Sequence, residues 1–83
     1  MKLIQIQIYV APEVGSTKST VASAVVNIDT LTAITAGKIA GQRKWYPIVH
    51  LADGSRFRLD GIYDGPGAAV EIAVVRLQVE ISD

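Results

Sequence analysis

The segment KLIQIQIYV (2–10) alternates apolar and polar residues without interruption, and this alternation strongly limits how the chain can fold. Ile4, Ile6 and Ile8 fall on one side of an extended chain, and Gln5 and Gln7 fall on the other. Successive side chains of a β-strand point to opposite faces, so a period of two residues indicates a strand with one buried face. The sequence therefore predicts a half-buried strand over this segment.

Further extended segments follow, separated by turns rich in Gly, Pro and Asp. We predict strands over 21–28, 45–52 and 55–63, and a turn with a short extended piece over 29–35. Asp53-Gly54 joins the second and third of these segments, and an Asp-Gly pair between strands is a strong hairpin signal. Exposed loops are expected at about 11–20 and 36–44. The expected fold is a single mostly-β domain over 1–83, a small antiparallel barrel or sandwich of five or six strands with the 45–63 hairpin at its centre.

The C-terminal segment 68–81 is compatible with two structures. As a strand it needs a β-bulge at 74/75, beyond which Arg76, Gln78 and Glu80 alternate with apolar residues. Its many β-branched residues favour this prediction. As a helix it would carry one apolar face, consisting of Val70, Ala73, Val74, Leu77 and Ile81. We predict a strand and keep the helix as the alternative.

Asp53, Asp60 and Asp64 lie close together in the sequence, which raises the question of a metal or catalytic carboxylate cluster. Each of them is also followed by glycine. A hairpin places Asp53 at its tip and Asp60 roughly 20 Å along the outgoing strand. Asp60 and Asp64 lie closer together, but two carboxylates alone do not supply the roughly six to eight oxygen ligands of a hard cation such as Ca²⁺. Glycine provides the positive φ that tight turns need. We interpret all three aspartates as turn residues and predict no metal site.

Several other kinds of function lack the residues that they need. The chain has no cysteine and a single histidine, His50, which excludes disulfide scaffolds, thiol catalysis and His-rich metal sites. GSTKST (15–20) lacks the glycine spacing of a phosphate-binding loop. With no recognisable catalytic arrangement, we predict a protein that is not an enzyme and that needs no cofactor.

Hydropathy gives an expectation about the compartment. No apolar run approaches the roughly 18 residues of a membrane span. Gln5 and Gln7 interrupt the first apolar stretch, which makes a poor signal peptide. We therefore expect a cytoplasmic protein that does not bind membranes.

Composition favours association with other chains. Apolar residues make up 49% of the 83 residues, and twenty residues are Ile or Val. A domain of this size has little interior, so part of the apolar surface is expected to lie against another subunit or partner. We predict a homo-oligomer.

Charge is unevenly distributed although the chain is neutral overall. Residues 38–58 contain five basic residues and one aspartate, a net charge of +4, so the rest of the chain carries −4. Arg56 and Arg58 alternate, so on one strand they share a face. Arginine next to aromatic residues is typical of protein-interface hot spots and of nucleic-acid grooves. The candidate interaction residues are Lys38, Arg43, Lys44, Trp45, Tyr46, Arg56 and Arg58.

Two stretches, VVNIDTLTAIT (25–35) and PIVHLADGSRFRLDG (47–61), resemble small bacterial modules. The pattern is similar to FlbD-type flagellar proteins and to LytTR-type DNA-binding domains, which share the hairpin and are β-rich. The resemblance covers about a third of the chain, and in the LytTR case it implies DNA binding. It rests on Asn27, Asp29, Leu31, Ile34, Leu51, Gly54 and Phe57.

These observations give two hypotheses for function. The first is a non-catalytic protein-interaction or assembly module, which binds itself and an unidentified protein. The second is a nucleic-acid-binding regulator that uses the basic 38–58 segment. The small size suits an accessory protein of a bacterium or phage.

Overall fold

The structure, a computed structural model, describes residues 2–12, 14–15, 17–18 and 20–82. Its elements are β1 (Leu3–Val10), β2 (Thr20–Asn27), β3 (Leu31–Lys38), β4 (Trp45–Leu51), β5 (Arg56–Arg58) and α1 (Pro66–Ser82). A short 3-10 turn, Ile28–Thr30, links β2 to β3. The predicted mostly-β domain with five antiparallel strands is confirmed.

Strands β1 and β2 form an antiparallel ribbon with an unbroken register from Leu3↔Asn27 to Val10↔Thr20. The alternation in β1 works as predicted, because Ile4 and Ile6 are buried while Gln5 and Gln7 are exposed. From β2, Val26 joins them at 3% exposure. One face of the ribbon therefore belongs to the core.

Strands β3, β4 and β5 form a second antiparallel sheet in that order. The predicted hairpin turn at Asp53-Gly54 connects β4 to β5, and Gly54 has a φ of +91°, which an L side chain rarely adopts. The Gly54 N–H donates to the Leu51 carbonyl at 3.0 Å. A bulge between Leu31 and Ala33 shifts the register of β3.

The two sheets meet edge to edge through one isolated antiparallel bridge, Ile8↔Leu59. The strands then follow the order β2–β1–β5–β4–β3, with β2 and β3 at the two ends. No pairing joins β2 to β3 in the described part of the chain, so the predicted barrel is not closed. The predicted strand 55–63 is also shorter in the structure, because only 56–58 pair continuously with β4.

The C-terminal segment is a helix, so the preferred prediction of a strand is wrong and its alternative is right. Helix α1 packs against β3, β4 and β1. Ala69, Ala73 and Leu77 are buried and recur every fourth residue, which places them on one side of the helix. Pro66 occupies the first helical position, where its missing N–H costs nothing. Burial of this stripe outweighs the weak strand preference of the valines, because tertiary packing overrides propensity.

The core lies between α1 and the inner faces of both sheets. It consists of Ile4, Ile6, Val26, Val49, Leu59, Ala73 and Leu77. Arg76 fastens the outer side of the helix to the preceding loop, where it donates to the Asp60 carbonyl at 2.6 Å and to the Tyr63 hydroxyl at 3.2 Å. A single layer of helix thus covers one face of the sheets.

The loops differ in part from expectation. Lys38 still pairs with Trp45, so β3 continues through residues predicted as loop, and the turn is confined to 39–44. Residues 11–12, 14–15 and 17–18 are exposed, and the remainder of the predicted 11–20 loop includes positions outside the described residues.

Within the described ranges, no helix combines the length and the apolar character needed to cross a membrane.

Candidate functional site

The face of the sheets opposite α1 has no described layer packed on it, and we call it the open face. Residues paired across antiparallel strands point to the same side, so the register assigns this face residue by residue. Gln7 and Ser23 are one such pair, joined by a hydrogen bond of 3.0 Å. The open face consists of Leu3, Gln5, Gln7, Tyr9, Val21, Ser23, Val25, Ala33, Thr35, Tyr46, Ile48, His50, Arg56 and Arg58.

The ribbon half of the open face carries no charge, and its exposed apolar side chains lie on either side of the hydrogen-bonded Gln7–Ser23 pair. Val25 is 68% exposed, Leu3 56% and Val21 49%. Val21 lies opposite Tyr9, and Leu3 and Val25 are diagonal neighbours across β1 and β2. Single exposed apolar residues are ordinary, but a contiguous group of them typically marks an interaction site.

The centre of the open face holds a stacked group of three side chains. The Arg58 guanidinium carbon lies 3.8 Å from the centroid of the Tyr9 ring and 3.8 Å from that of the Tyr46 ring. The Ile8↔Leu59 bridge brings Tyr9 beside Arg58, and the Ile48↔Arg58 pair brings Tyr46 to its other side. Stacking of a guanidinium on an aromatic face is favourable by about 0.5–2 kcal/mol. The arginine is therefore held in one orientation.

The hydrogen-bonding groups of Arg58 have no partner among the residues that the structure describes. Its Nε atom is buried and makes no hydrogen bond, and it is the one such side-chain atom among the described residues. Its two Nη groups carry four further N–H donors, and they donate no hydrogen bond to a described residue. A guanidinium held between two rings with open donors is an unfilled binding group.

Arg56 extends this arrangement. It is exposed, pairs with His50 across the strands, and points to the same side as Arg58. Strand geometry separates the two arginines by about 7 Å along the chain. Together they border an open depression of about 430 Å³, whose lining residues are Tyr9, Ala11, Tyr46, Ile48, Arg56 and Arg58.

The seven candidate residues do not form one surface. Tyr46, Arg56 and Arg58 lie on the open face. Trp45 is next to Tyr46 on β4, so its side chain points to the opposite side of the sheet. The Lys38 Nζ lies 5.8 Å from the centroid of the Trp45 ring. The other two candidates lie in or beside the 39–44 turn, where Lys44 forms an ion pair with Asp64 and Arg43 is exposed.

Tyr9 and Ile48 are site residues that sequence reasoning did not select. The alternation of β1 places Tyr9 on the outward side, but nothing in the sequence indicates that β1 lies next to β5. Ile48 is two residues after Tyr46 on the predicted strand 45–52, so the sequence does place the two side chains on the same face. Both become members of the site only through the strand order.

The aspartates behave as turn residues. The Asp53 Oδ1 accepts from the Ser55 N–H at 2.8 Å, and this bond, with that from the Ser55 hydroxyl, lowers the pKa of Asp53 from its ordinary value of 3.8. Asp64 forms an ion pair with Lys44. In the described part of the chain, no three His, Asp or Glu side chains come together as a metal site would require.

His50 and Thr35 form the other close polar pair of the open face. The His50 Nε2 and the Thr35 Oγ1 are 2.7 Å apart, and the Thr32 hydroxyl donates to the His50 carbonyl at 3.2 Å. These bonds connect β3 to β4. They give the His50 Nε2 and the Thr35 hydroxyl a structural role between the two strands.

Comparison with protein-family models, with curated proteins and with solved structures found no match. The resemblance of 25–61 to FlbD-type and LytTR-type proteins therefore stays a prediction.

Proposed function

We propose that this chain is a non-catalytic protein-interaction module that binds through its open face and assembles with a second copy through β2. One observation carries the proposal: the sheet face that α1 does not cover exposes Leu3, Val21 and Val25, and no described layer packs on it. Exposed groups of this kind are typical of surfaces that another protein covers. The composition of the chain, rich in Ile and Val, supports the same interpretation.

The edge of β2 supports the choice of a second copy. Its eight residues, Thr20–Asn27, contain no charge, no proline and no bulge. Protein edge strands ordinarily carry such features, because they prevent pairing with another chain. The opposite edge, β3, has both a bulge and a terminal lysine, Lys38. We therefore propose pairing through β2 rather than through β3.

Two-fold symmetry gives this pairing a definite register. An antiparallel β2–β2 contact centred on Ser23 places Val21 of one copy opposite Val25 of the other, because their positions are equidistant from the axis. The cross-strand valine pairs then lie on a continuous open face that runs through both copies.

A nucleic-acid-binding regulator is the less favoured function. It requires the basic residues of 38–58 to act together on phosphates. Lys44 is paired with Asp64, and Lys38 lies over Trp45 on the other side of the sheet from Arg58. The two arginines that remain on the open face support only a small electrostatic contact.

Sedimentation equilibrium tests the proposal with a matched pair of variants. Val25→Asp places a carboxylate in the proposed β2 contact. The control, Val75→Asp, places a carboxylate on the exposed side of α1, where Val75 is 53% exposed. We expect the wild type and Val75→Asp to be dimeric at tens of micromolar and Val25→Asp to be monomeric, all with native circular dichroism. A monomeric wild type, or a dimeric Val25→Asp variant, would overturn assembly through β2.

A further inference from the structure

We propose that the depression around Arg58 binds carboxylate side chains of an extended acidic segment in a partner protein. This inference rests on the proposed function and names the chemistry of the partner. It concerns the centre of the open face, separate from the β2 edge. The site consists of Tyr9, Tyr46, Arg56 and Arg58, with Ala11 and Ile48 beside them.

Arg58 has the geometry of a preorganised carboxylate receptor. The two tyrosine rings, each 3.8 Å from the guanidinium carbon, fix the plane of the group before any ligand arrives. A planar fork of N–H donors matches the two oxygens of a carboxylate, and less side-chain entropy is lost when the fork is already ordered. The two Nη groups, which donate no hydrogen bond to a described residue, are the groups that would make this bidentate contact.

No acidic side chain among the described members of the open face balances its positive charge. Arg56 and Arg58 are its two cationic side chains, and none of its members is Asp or Glu. Neither arginine forms an ion pair with a described residue. Unbalanced positive charge beside apolar surface favours a partner that brings carboxylates together with apolar side chains.

The spacing of the arginines specifies the form of the segment. Residues two apart on a strand are separated by about 7 Å, and they point to the same side. An extended ligand with acidic residues at alternate positions has the same spacing, so each carboxylate can meet one guanidinium. The intervening residues are expected to be apolar or small, because Ile48 lines the depression and Val21 lies opposite its Tyr9 wall.

A carboxylate fits this site better than a nucleic-acid strand. Single-stranded nucleic acids bind proteins by stacking bases on free aromatic faces and by contacting several cations along the backbone. Here the guanidinium occupies one face of each tyrosine, and only two cations share the surface. The basic residues Lys38 and Lys44 are engaged elsewhere.

Fluorescence anisotropy tests the proposal with a blocked, labelled peptide of alternating Glu and Val. The controls are the same peptide with Gln in place of Glu and a single-stranded oligonucleotide of equal charge. We expect saturable binding of the Glu peptide below about 1 mM, with the Gln peptide at least about ten-fold weaker, since hydrogen bonds to charged groups are the strong ones. Equal binding of the Glu and Gln peptides, no binding of either, or tighter binding of the oligonucleotide would overturn the proposal.

Protein variants locate the binding site. Arg58→Lys keeps the charge and removes the planar fork, so we expect affinity for the Glu peptide to fall about ten-fold. Arg43→Lys makes the same change in the exposed turn and should leave affinity unchanged within about two-fold. Equal effects of the two substitutions would place binding elsewhere.

The Val25→Asp variant separates the two proposals. If it is monomeric and binds the Glu peptide as the wild type does, both stand. If the wild type is a monomer that binds the peptide through Arg58, assembly through β2 fails while carboxylate recognition stands. If the wild type is a dimer with no preference for the Glu peptide, carboxylate recognition fails while assembly through β2 stands.

Discussion

The Tyr46 ring lies directly over the backbone of Gly37 on the neighbouring strand. A Cβ atom on Gly37 would come within 2.6 Å of the Cε2 and Cζ atoms of that ring, closer than real side chains approach. The close approach holds Tyr46 against the sheet, where its other neighbour is Arg58. The absence of a side chain at Gly37 thus positions one wall of the candidate site.

Substitution of Gly37 should therefore disturb the site more than the fold. Gly37→Ala forces the end of the Tyr46 ring to move, at a cost of about 1–2 kcal/mol in stability, within the range of overpacking substitutions. We expect peptide affinity to fall at least about five-fold, because one side of the Arg58 stack is displaced. Gly67→Ala is the control, since a Cβ there meets nothing within 4 Å. Titration of both variants with the Glu peptide checks the prediction, and equal affinities would contradict it.

The buried stripe of α1 should dominate the stability of the helix. Leu77 is 3% exposed within the core, so Leu77→Ala should reduce the free energy of unfolding by about 2–5 kcal/mol. Val75 is on the exposed side, and Val75→Ala should change it by less than about 0.5 kcal/mol. Urea denaturation followed by circular dichroism measures both values. Similar losses for the two variants would mean that the helix does not pack as described.

The stack around Arg58 should contribute more to binding than to stability. Arg58→Met removes the unpaired Nε and keeps an unbranched side chain that packs well against aromatic rings. We expect its free energy of unfolding to stay within about 1 kcal/mol of the wild-type value, because the lost cation–π contacts are offset by removing an unsatisfied buried donor. Binding of the Glu peptide should be abolished. Urea denaturation and anisotropy on the same samples check this, and a large loss of stability would instead identify Arg58 as a structural residue.

Asp53 should make the β4–β5 turn sensitive to acid. Its pKa in the folded chain is below the ordinary 3.8 because it accepts hydrogen bonds from Ser55, so its ionised form stabilises the fold. That contribution is complete above the unfolded pKa and is lost as pH falls through the lower folded pKa. Asp53→Asn can keep the turn, since Asn also forms such side-chain-to-backbone bonds, but it does not titrate. The difference in Tm between wild type and variant should be constant from pH 5 to 7 and should shrink below about pH 4. A difference independent of pH would contradict this account.

Local patterns predicted the strands correctly where one face is buried and the other is not. Ile4 and Ile6 alternate with glutamines, and the Asp53-Gly54 turn lies between two segments that do pair. Residues 66–82 differ, because their valines favour a strand locally while the small Ala69 and Ala73 let a helix pack closely on the sheets. That fit depends on what lies underneath, which a local pattern does not contain.

The candidate site was predictable only in part, for the same reason. Alternation alone places Arg56 and Arg58 on one face. Tyr9 reaches Arg58 through contact between strands that are far apart in the chain, and no short-range signal specifies that contact. Alternation along β4 places Trp45 and Tyr46 on opposite sides of the sheet. The basic segment 38–58 is therefore divided between two surfaces.

The bridge between Ile8 and Leu59 is the one strand pairing described between the two sheets, so their join has fewer backbone hydrogen bonds than either sheet has internally. The stack of Tyr9, Arg58 and Tyr46 crosses this join, with one ring contributed from each side. A ligand that contacts Arg58 would therefore add a contact where the two sheets meet, and both sheets would be stabilised there. Amide hydrogen exchange near the end of β1 should then slow when peptide is bound, although the peptide's charged groups contact β5.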